Sequence, residues 1–297
     1  MNTVGPQQLR NLLSTDRVII APGAMNALVA RLIQQVGFEA IYFSGAAFAN
    51  TVLAVPDLGL ATLSEMVQHL GYISQAVTIP VIADGDTGFG SVLNVQRAVT
   101  LYEGAGAAAI QIEDQTMPKR CGHFKDKQVV EMSEMIARIR AALAARADPN
   151  FVVIARTDAR SVTGLEDALK RCAAYATAGA DMLFLEAPES DEELSLIGRE
   201  LKGVPLVANM VEGGRTPLHS AAELASMGFQ LVIFPGLLTR VAVFAVLDAL
   251  KTLSAHGDSR ALLQRLVPLS DVNDRLGLQE LLDRAALLEG EPDAARA

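Results

Sequence analysis

Cysteine is scarce in this chain, and basic charge is outnumbered. Its 297 residues hold only two cysteines, Cys121 and Cys172, too few for a disulfide scaffold and in keeping with a reducing compartment. Lys and Arg number 25 against 34 Asp and Glu, a net charge of −9, so a nucleic-acid binder held by a broad basic face is excluded. Met1 to Arg10 has no apolar segment of secretory-signal type. The longest apolar run, Leu231 to Leu250, is broken by Pro235, Arg240 and Asp248, so no membrane span is expected. No low-complexity linker divides the chain. What is present in quantity is apolar side chain: 51% of residues are hydrophobic and 20% charged, enough to bury a large core and too much for a disordered chain. The expectation is an acidic cytoplasmic protein forming a single domain over residues 1–297.

Short apolar runs recur along the chain at Val18–Ala21, Ala40–Phe43, Val81–Ala83, Ala109–Ile112, Val152–Ala155, Met182–Leu185, Leu206–Ala208 and Leu231–Phe234. None alternates with polar residues, which is the pattern of strands buried on both faces of a parallel sheet. Amphipathic stretches of helical length separate them, from Ala24–Val36 to Leu237–Leu250. The even-numbered strands share an entry signal: Gly37, Gly106, Gly179 and Gly228 each stand just past a helix, where positive φ is wanted. Pro80 and Pro205 open two odd strands, a position that needs no ladder donor. Eight such units read as an α/β protein of the (β/α)8 TIM-barrel type, with the barrel over about residues 16–252. An open doubly wound sheet fits less well, because no glycine-rich turn follows Val18–Ala21. Beyond the barrel, about 253–290 reads as extra C-terminal helices serving as a cap or subunit contact.

Barrel enzymes carry their chemistry where the strands end, so the residues after each run matter most. They are Ser44-Gly45-Ala46, Asp84-Gly85-Asp86, Glu113-Asp114, Arg156-Thr157-Asp158, Glu186, Asn209 and Pro235-Gly236. Asp84, Asp86 and Glu113 come from adjacent strands, and clustered carboxylates repel unless a cation lies between them. Oxygen ligands without a His or Cys group favour Mg2+, with Mn2+ as second choice, over zinc. A solvated acidic rim is the plainer reading of Asp-x-Asp alone; Glu113 one strand away tips the balance to a metal. The loop after strand 4 carries Lys119-Arg120-Cys121-Gly122-His123, where three potential cations surround one thiol and would lower its pKa for acid–base work. Cys172 sits among small residues on a helix and reads as inert packing. Arg156 is a natural bidentate partner for a carboxylate, or for the acids beside it. His69, His219 and His256 read as solvated or capping residues.

These residues together resemble the isocitrate lyase/phosphoenolpyruvate mutase superfamily. The resemblance is carried by Tyr42-Phe43-Ser44-Gly45, Val55-Pro56-Asp57, Asp84-Gly85-Asp86-Thr87-Gly88, Ile112-Glu113-Asp114-Gln115, Lys119-Arg120-Cys121-Gly122-His123 and Ala155-Arg156-Thr157-Asp158, in order between about Ala21 and Leu250. Lys-Arg-Cys-Gly-His after Glu-Asp-Gln is similar to the carbon–carbon lyase branch, and Asn209 to Leu218 to its members that cleave 2-alkylmalates. Gly85 stands where alanine is usual in that family, and a small backbone effect is expected.

The resemblance implies a Mg2+-dependent barrel, commonly a homotetramer whose last barrel helix is exchanged between subunits. It places Asp84 closest to the metal, with Asp57, Asp86 and Glu113 acting largely through waters. It gives Ser44, Gly45, Ala46 and Arg156 the carboxylate of the keto-acid end, and Glu186 and Asn209 the leaving half, beside Gly122, His123 and Pro235. The implied reaction is retro-aldol cleavage of a 2-hydroxydicarboxylate of the 2-alkylmalate, dimethylmalate or methylisocitrate type. Tyr42 or a metal-bound hydroxide would take the hydroxyl proton, Cys121 would protonate the carbanion, and Lys119, Arg120 and His123 would offset its charge. Decarboxylation or hydrolysis of oxaloacetate, or carboxyphosphonoenolpyruvate phosphonomutase chemistry, are rival uses of the same platform. A barrel kept only for binding or assembly is a third reading.

Overall fold

Each expected helix stop and strand entry is realised in the backbone. Gly37, Gly106, Gly179 and Gly228 adopt φ of 101°, 96°, 104° and 100°, the left-handed conformation a residue with a Cβ resists. In a computed structural model that describes residues 4–120, 122 and 127–290, the strands are β1 (Ile19–Pro22), β2 (Ile41–Phe43), β3 (Val81–Asp84), β4 (Ala109–Glu113), β5 (Val152–Thr157), β6 (Met182–Leu185), β7 (Leu206–Asn209) and β8 (Leu231–Phe234). The helices are α1 (Val4–Leu13), α2 (Ala27–Val36), α3 (Gly45–Thr51), α4 (Leu63–Ala76), α5 (Val92–Gly104), α6 (Met132–Ala145), α7 (Leu165–Thr177), α8 (Asp191–Glu200), α9 (Ala221–Ser226), α10 (Leu237–His256), α11 (Leu269–Arg275) and α12 (Leu278–Glu289).

The strands run parallel in the order β1-β8-β7-β6-β5-β4-β3-β2. A parallel bridge from Gly23 to Tyr42, with Ala24 N donating to Tyr42 O at 2.9 Å, brings β1 and β2 together. This is a (β/α)8 TIM barrel. Helix starts follow the capping chemistry: Thr62 and Ser220 form capping boxes with Glu65 and Glu223, each satisfying orphan amides on α4 and α9.

Two apolar layers result from the period-two geometry of the strands. Ile41, Val81, Ile110, Val153, Leu183 and Val232 face outward into one core that the helices share. Tyr42, Ile82, Val152, Ile154, Phe184, Val207 and Ile233 face the lumen. Leu9 of α1 is fully buried within this second core, so α1 contributes to filling the barrel interior. Arg10 anchors it with a 2.6 Å ion pair to Asp181 and a bond to Asn150 O. Neither α1 nor the short α3 was foreseen from the sequence pattern: α1 precedes the first apolar run, and α3 shares the β2–β3 connection with the longer α4.

The chain divides into two compact units, 1–240 and 241–297. Within the second, Arg265 pairs with Asp248, and α11 and α12 follow a 3-10 turn at Arg260–Arg265. Its apolar side chains are strongly exposed, Phe244 at 71% and Leu287 at 80% among them.

Candidate active site

The same parity that fills the lumen builds the site. Two positions beyond Tyr42, Ile82, Ile154, Phe184, Val207 and Ile233 stand Ser44, Asp84, Arg156, Glu186, Asn209 and Pro235. On β4 the inward series runs through Ala109, Gln111 and Glu113. Polar ends of inward-facing series therefore meet above an apolar floor, around one cavity of about 310 Å³. Ser44, Ala46, Asp57, Asp84, Glu113, Lys119, Gly122, Arg156, Glu186, Asn209 and Pro235 all line it, as does Tyr42.

Carboxylates dominate. Asp57, Asp84, Asp86, Glu113, Asp158 and Glu186 are all buried, against the buried cations Lys119, Lys127 and Arg156. Lys119 Nζ bridges Asp57 Oδ1 at 2.5 Å and Asp86 Oδ1 at 2.8 Å. Asp84 accepts from Gly45 N on Oδ2 at 3.1 Å, and from Asp86 N and Gln111 Nε2 on Oδ1 at 3.1 and 3.3 Å. Glu113 Oε2 faces Arg156 Nε at 3.3 Å, but its buried Oε1 has no hydrogen-bond partner. Burial pushes the Asp84 carboxyl up, and Asp86 adds to the shift against Lys119 and Arg156. Burial likewise pushes Glu113 well up, with Arg156 opposing. Asp86 sits at φ 46°, a strained conformation for a residue with a Cβ and one that proteins tend to keep at functional sites.

A divalent metal fits this donor set. The excess of buried carboxylates and the unpartnered Glu113 Oε1 call for a cation, and oxygen-only donors select a hard one. Among the described residues no three acidic, His or Cys side chains close into a single coordination sphere. Asp84 and Glu113 could hold such an ion, whereas Lys119 occupies Asp57 and Asp86.

Arg156 is braced from behind. Its Nε and Nη2 donate to Asp158 at 2.9 and 3.1 Å, its Nη2 lies 3.7 Å from Glu186, and its guanidinium stacks 5.0 Å over Phe184. Burial alone would lower its pKa, but Asp158, Glu186 and Glu113 outweigh that and keep it charged. Asn209 Nδ2 donates to both Glu186 oxygens at 3.3 and 3.1 Å, which leaves its buried Oδ1 without a donor. Behind Arg156, Asp114 accepts from Thr157, Tyr175, Arg171 and the Asp158 amide, fixing the end of β5.

Two expectations meet a particular geometry. The Tyr42 hydroxyl donates to Gln111 Oε1 at 2.6 Å, and burial, then Asp84, pushes its pKa well above the ordinary value. Gly85 is no small backbone detail. A Cβ there would stand 2.7 Å from Ile110 Cγ1 and 2.8 Å from Gln111 O, so glycine permits the close approach of β3 and β4. Cys121 and His123 lie outside the described residues. Gly122 packs against the site so closely that a Cβ would fall 2.5 Å from Arg156 Nη2.

Sequence reasoning missed Gln111, Lys127, Arg240 and the apolar wall of Val211 and Ile233. Gln111 had a signal, being polar within the run Ala109–Ile112. Arg240, which bonds Glu212 O at 2.5 Å, had none beyond breaking an apolar helix.

A TIM barrel whose strand ends gather buried acids and a braced arginine around one cavity is an enzyme scaffold. The chain belongs to the phosphoenolpyruvate phosphomutase family, whose sequence profile matches residues 9–254. It is 44% identical over 281 residues to a 2,3-dimethylmalate lyase of Eubacterium barkeri, covering 95% of this chain and 96% of that one. A 2-methylisocitrate lyase of Aeropyrum pernix is 43% identical over 278 residues, 94% of this chain and 89% of the other. Among solved structures, oxaloacetate acetylhydrolase in complex with 3,3-difluorooxalacetate superposes with a TM-score of 0.92 at 35% identity, covering 98% of this chain and 99% of that one.

Proposed function

We propose that this carbon–carbon lyase cleaves a 2-alkylmalate, with methylisocitrate as the nearest variant, to an α-keto acid and a carboxylate. The observation that carries this reading is Glu113 and Arg156 meeting at 3.3 Å, with Asp84 lining the same cavity, in a chain so similar to a dimethylmalate lyase. Mg2+, with Mn2+ as the alternative, would be held by Asp84 and Glu113, with Asp57 and Asp86 behind, and would lower the pKa of the substrate hydroxyl while polarising the forming keto group. Ser44, whose Oγ caps α3, and the Gly45–Ala46 turn receive the carboxylate of the keto-acid end, helped by Arg156. Glu186 and Asn209 line the leaving half, and Val211, Ile233 and Pro235 give its alkyl groups an apolar wall. A hydroxide at the site takes the hydroxyl proton and becomes water, the hydroxyl oxygen becomes the keto oxygen as the bond to the neighbouring carbon breaks with its electron pair passing to that neighbour, and the Cys121 thiol delivers its proton to the resulting carbanion and is reprotonated from solvent. Arg120 and His123 offset the charge that develops there, while Lys119 acts through the two acids it pairs with, Asp57 and Asp86.

Residues 1–297 act as one functional domain in this reading. The exposed apolar side chains beyond residue 240 are where copies of the chain exchange a helix and form a homotetramer. No helix among the described residues is long and apolar enough to cross a membrane, and the buried free thiol of Cys172 suits a cytoplasmic setting.

A keto-acid release assay decides the matter. Alkylmalates, methylisocitrate and oxaloacetate are supplied in turn with Mg2+, with and without EDTA. Turnover of an alkylmalate that EDTA abolishes is the expected result. Conversion of oxaloacetate alone would favour the hydrolase, which the superposition on oxaloacetate acetylhydrolase keeps as the second reading. No keto acid from any of them would leave a binding or assembly protein.

A further inference from the structure

Gln111 stands in the middle of β4, fully buried, and has no place in the reaction described above. Two positions before the strand-end polar groups, the other inward series carry Ile82, Ile154, Phe184, Val207 and Ile233. Only β2 and β4 put polar groups there, Tyr42 and Gln111, and the two are bonded to each other. The Tyr42 hydroxyl donates to Gln111 Oε1 at 2.6 Å, and Gln111 Nε2 donates to Asp84 Oδ1 at 3.3 Å. Since β3 lies between β2 and β4, this chain spans the strand that carries Asp84. An apolar residue would fill the lumen without the cost of burying an amide, so packing alone does not call for glutamine.

An amide offers one acceptor and one NH2 group, and a single orientation serves both neighbours. Turned over, it would set its oxygen against the Asp84 carboxylate and repel it. The Tyr42 proton, spent on Oε1, therefore keeps the NH2 group aimed at Asp84. A carboxylate has about four lone-pair sites. On Asp84 the Asp86 amide at 3.1 Å and Gln111 fill Oδ1, while Oδ2 accepts from the Gly45 amide at 3.1 Å. The remaining site is on Oδ2. Two of these three donors are backbone amides set by the fold; Gln111 is the donor that a side chain supplies.

We propose that Gln111 is a positioning residue for Asp84: oriented by the Tyr42 hydroxyl, it fixes the carboxylate so that Oδ2 stays open to a divalent cation. The proposal rests on the reading that Asp84 holds the metal.

The test is calorimetric titration of Gln111→Leu with Mg2+ alone, no substrate being present. Affinity should fall at least about tenfold, the scale on which a group bonded to a metal ligand acts. The loss should persist in Tyr42→Phe/Gln111→Leu, where no hydroxyl is stranded and the urea midpoint regains part of what Gln111→Leu loses. Metal affinity and stability would then move apart, which a purely structural role does not produce. A folded Gln111→Leu protein with unchanged Mg2+ affinity overturns the proposal, and so does affinity that recovers with stability in the double variant. Should Gln111→Leu not fold, the double variant carries the same titration, and wild-type affinity there overturns the proposal equally. Wild-type protein that binds no Mg2+ overturns it together with the metal reading, whereas equal binding by wild type and variant overturns it alone. No turnover is measured, so the proposal and the lyase reading can fail separately.

Discussion

Replacing Tyr42 by Phe separates two accounts of how the substrate hydroxyl loses its proton. A general base contributes about 10²- to 10⁴-fold to rate, so loss of a true base should be visible as a collapse of kcat. The Tyr42 hydroxyl instead spends its proton on Gln111 Oε1 at 2.6 Å, with Gln111 fully buried and its amide committed to Asp84. Burial, then Asp84, holds the phenol well above its ordinary pKa, so the phenolate is unavailable near neutrality. The cost of Tyr42→Phe is accordingly structural. It strands a buried acceptor, worth about 1–3 kcal/mol of stability. Urea unfolding should show that loss, and removing the acceptor too, as Tyr42→Phe/Gln111→Leu, should cost less than the two single changes added together. Steady-state assays across pH should show kcat reduced by no more than about tenfold, with the limbs of the pH profile unmoved. A folded Tyr42→Phe protein with kcat down about 10³-fold, or with one limb missing, would refute this reasoning and restore Tyr42 as the base.

Other outcomes follow from the same geometry. Burial opposes the Asp158 charge, but Arg156 and Lys127 outweigh it and hold the carboxyl at about 2. A depressed carboxyl stabilises the fold above its unfolded pKa and ceases to as pH falls through the folded one. Acid unfolding should therefore show a loss on the order of 2 kcal/mol between about pH 4 and pH 2, which Asp158→Asn removes from the curve. Cys172 is fully buried, its thiol pushed up by burial and by Asp114, so it should resist thiol reagents until the chain unfolds, and Cys172→Ala should leave kcat unchanged. EDTA should abolish turnover and Mg2+ restore it, whereas Glu113→Gln should weaken Mg2+ binding by about tenfold or more in calorimetry. Phe244→Asp places a charge on the exposed apolar surface and should lower the molar mass measured by light scattering.

The barrel was legible because its signals are local. Glycine after a helix, proline before a strand and an unbroken apolar run each reflect backbone sterics and burial that neighbouring residues decide. The β6 and β8 runs, Met182–Leu185 and Leu231–Phe234, match the observed strands residue for residue. Strand-end chemistry was legible for a related reason: Asp84 and Glu113 end strands that are otherwise nearly all apolar, and Arg156 stands one residue before the end of another, so their polarity stands out. Which face each strand turns inward was hidden, because both faces are buried and the composition of the two is alike. Gln111 shows the consequence. Its polarity within β4 was visible, but its role as the link between Tyr42 and Asp84 follows only from lumen parity.

The loop after β4 lost most in the reading, and physics explains why. Lys119-Arg120-Cys121-Gly122-His123 presents its cations as a reagent group around a thiol, yet Lys119 pairs with Asp57 and Asp86, acids of the connections that follow β2 and β3. A lysine's reach of several ångströms lets tertiary contacts, rather than sequence neighbours, decide its partner. Lys127 is the same case, since its acidic partner, Asp158, belongs to the end of the next strand. Gly122 carries the opposite lesson: what matters is the space it leaves, measured by the 2.5 Å that would separate a Cβ from Arg156 Nη2. The excess of acid over base noted in the composition is thus partly resolved inside the barrel mouth. There Lys119 covers Asp57 and Asp86, Lys127 covers Asp158, and Asp84 and Glu113 are acids without a lysine partner among the described residues.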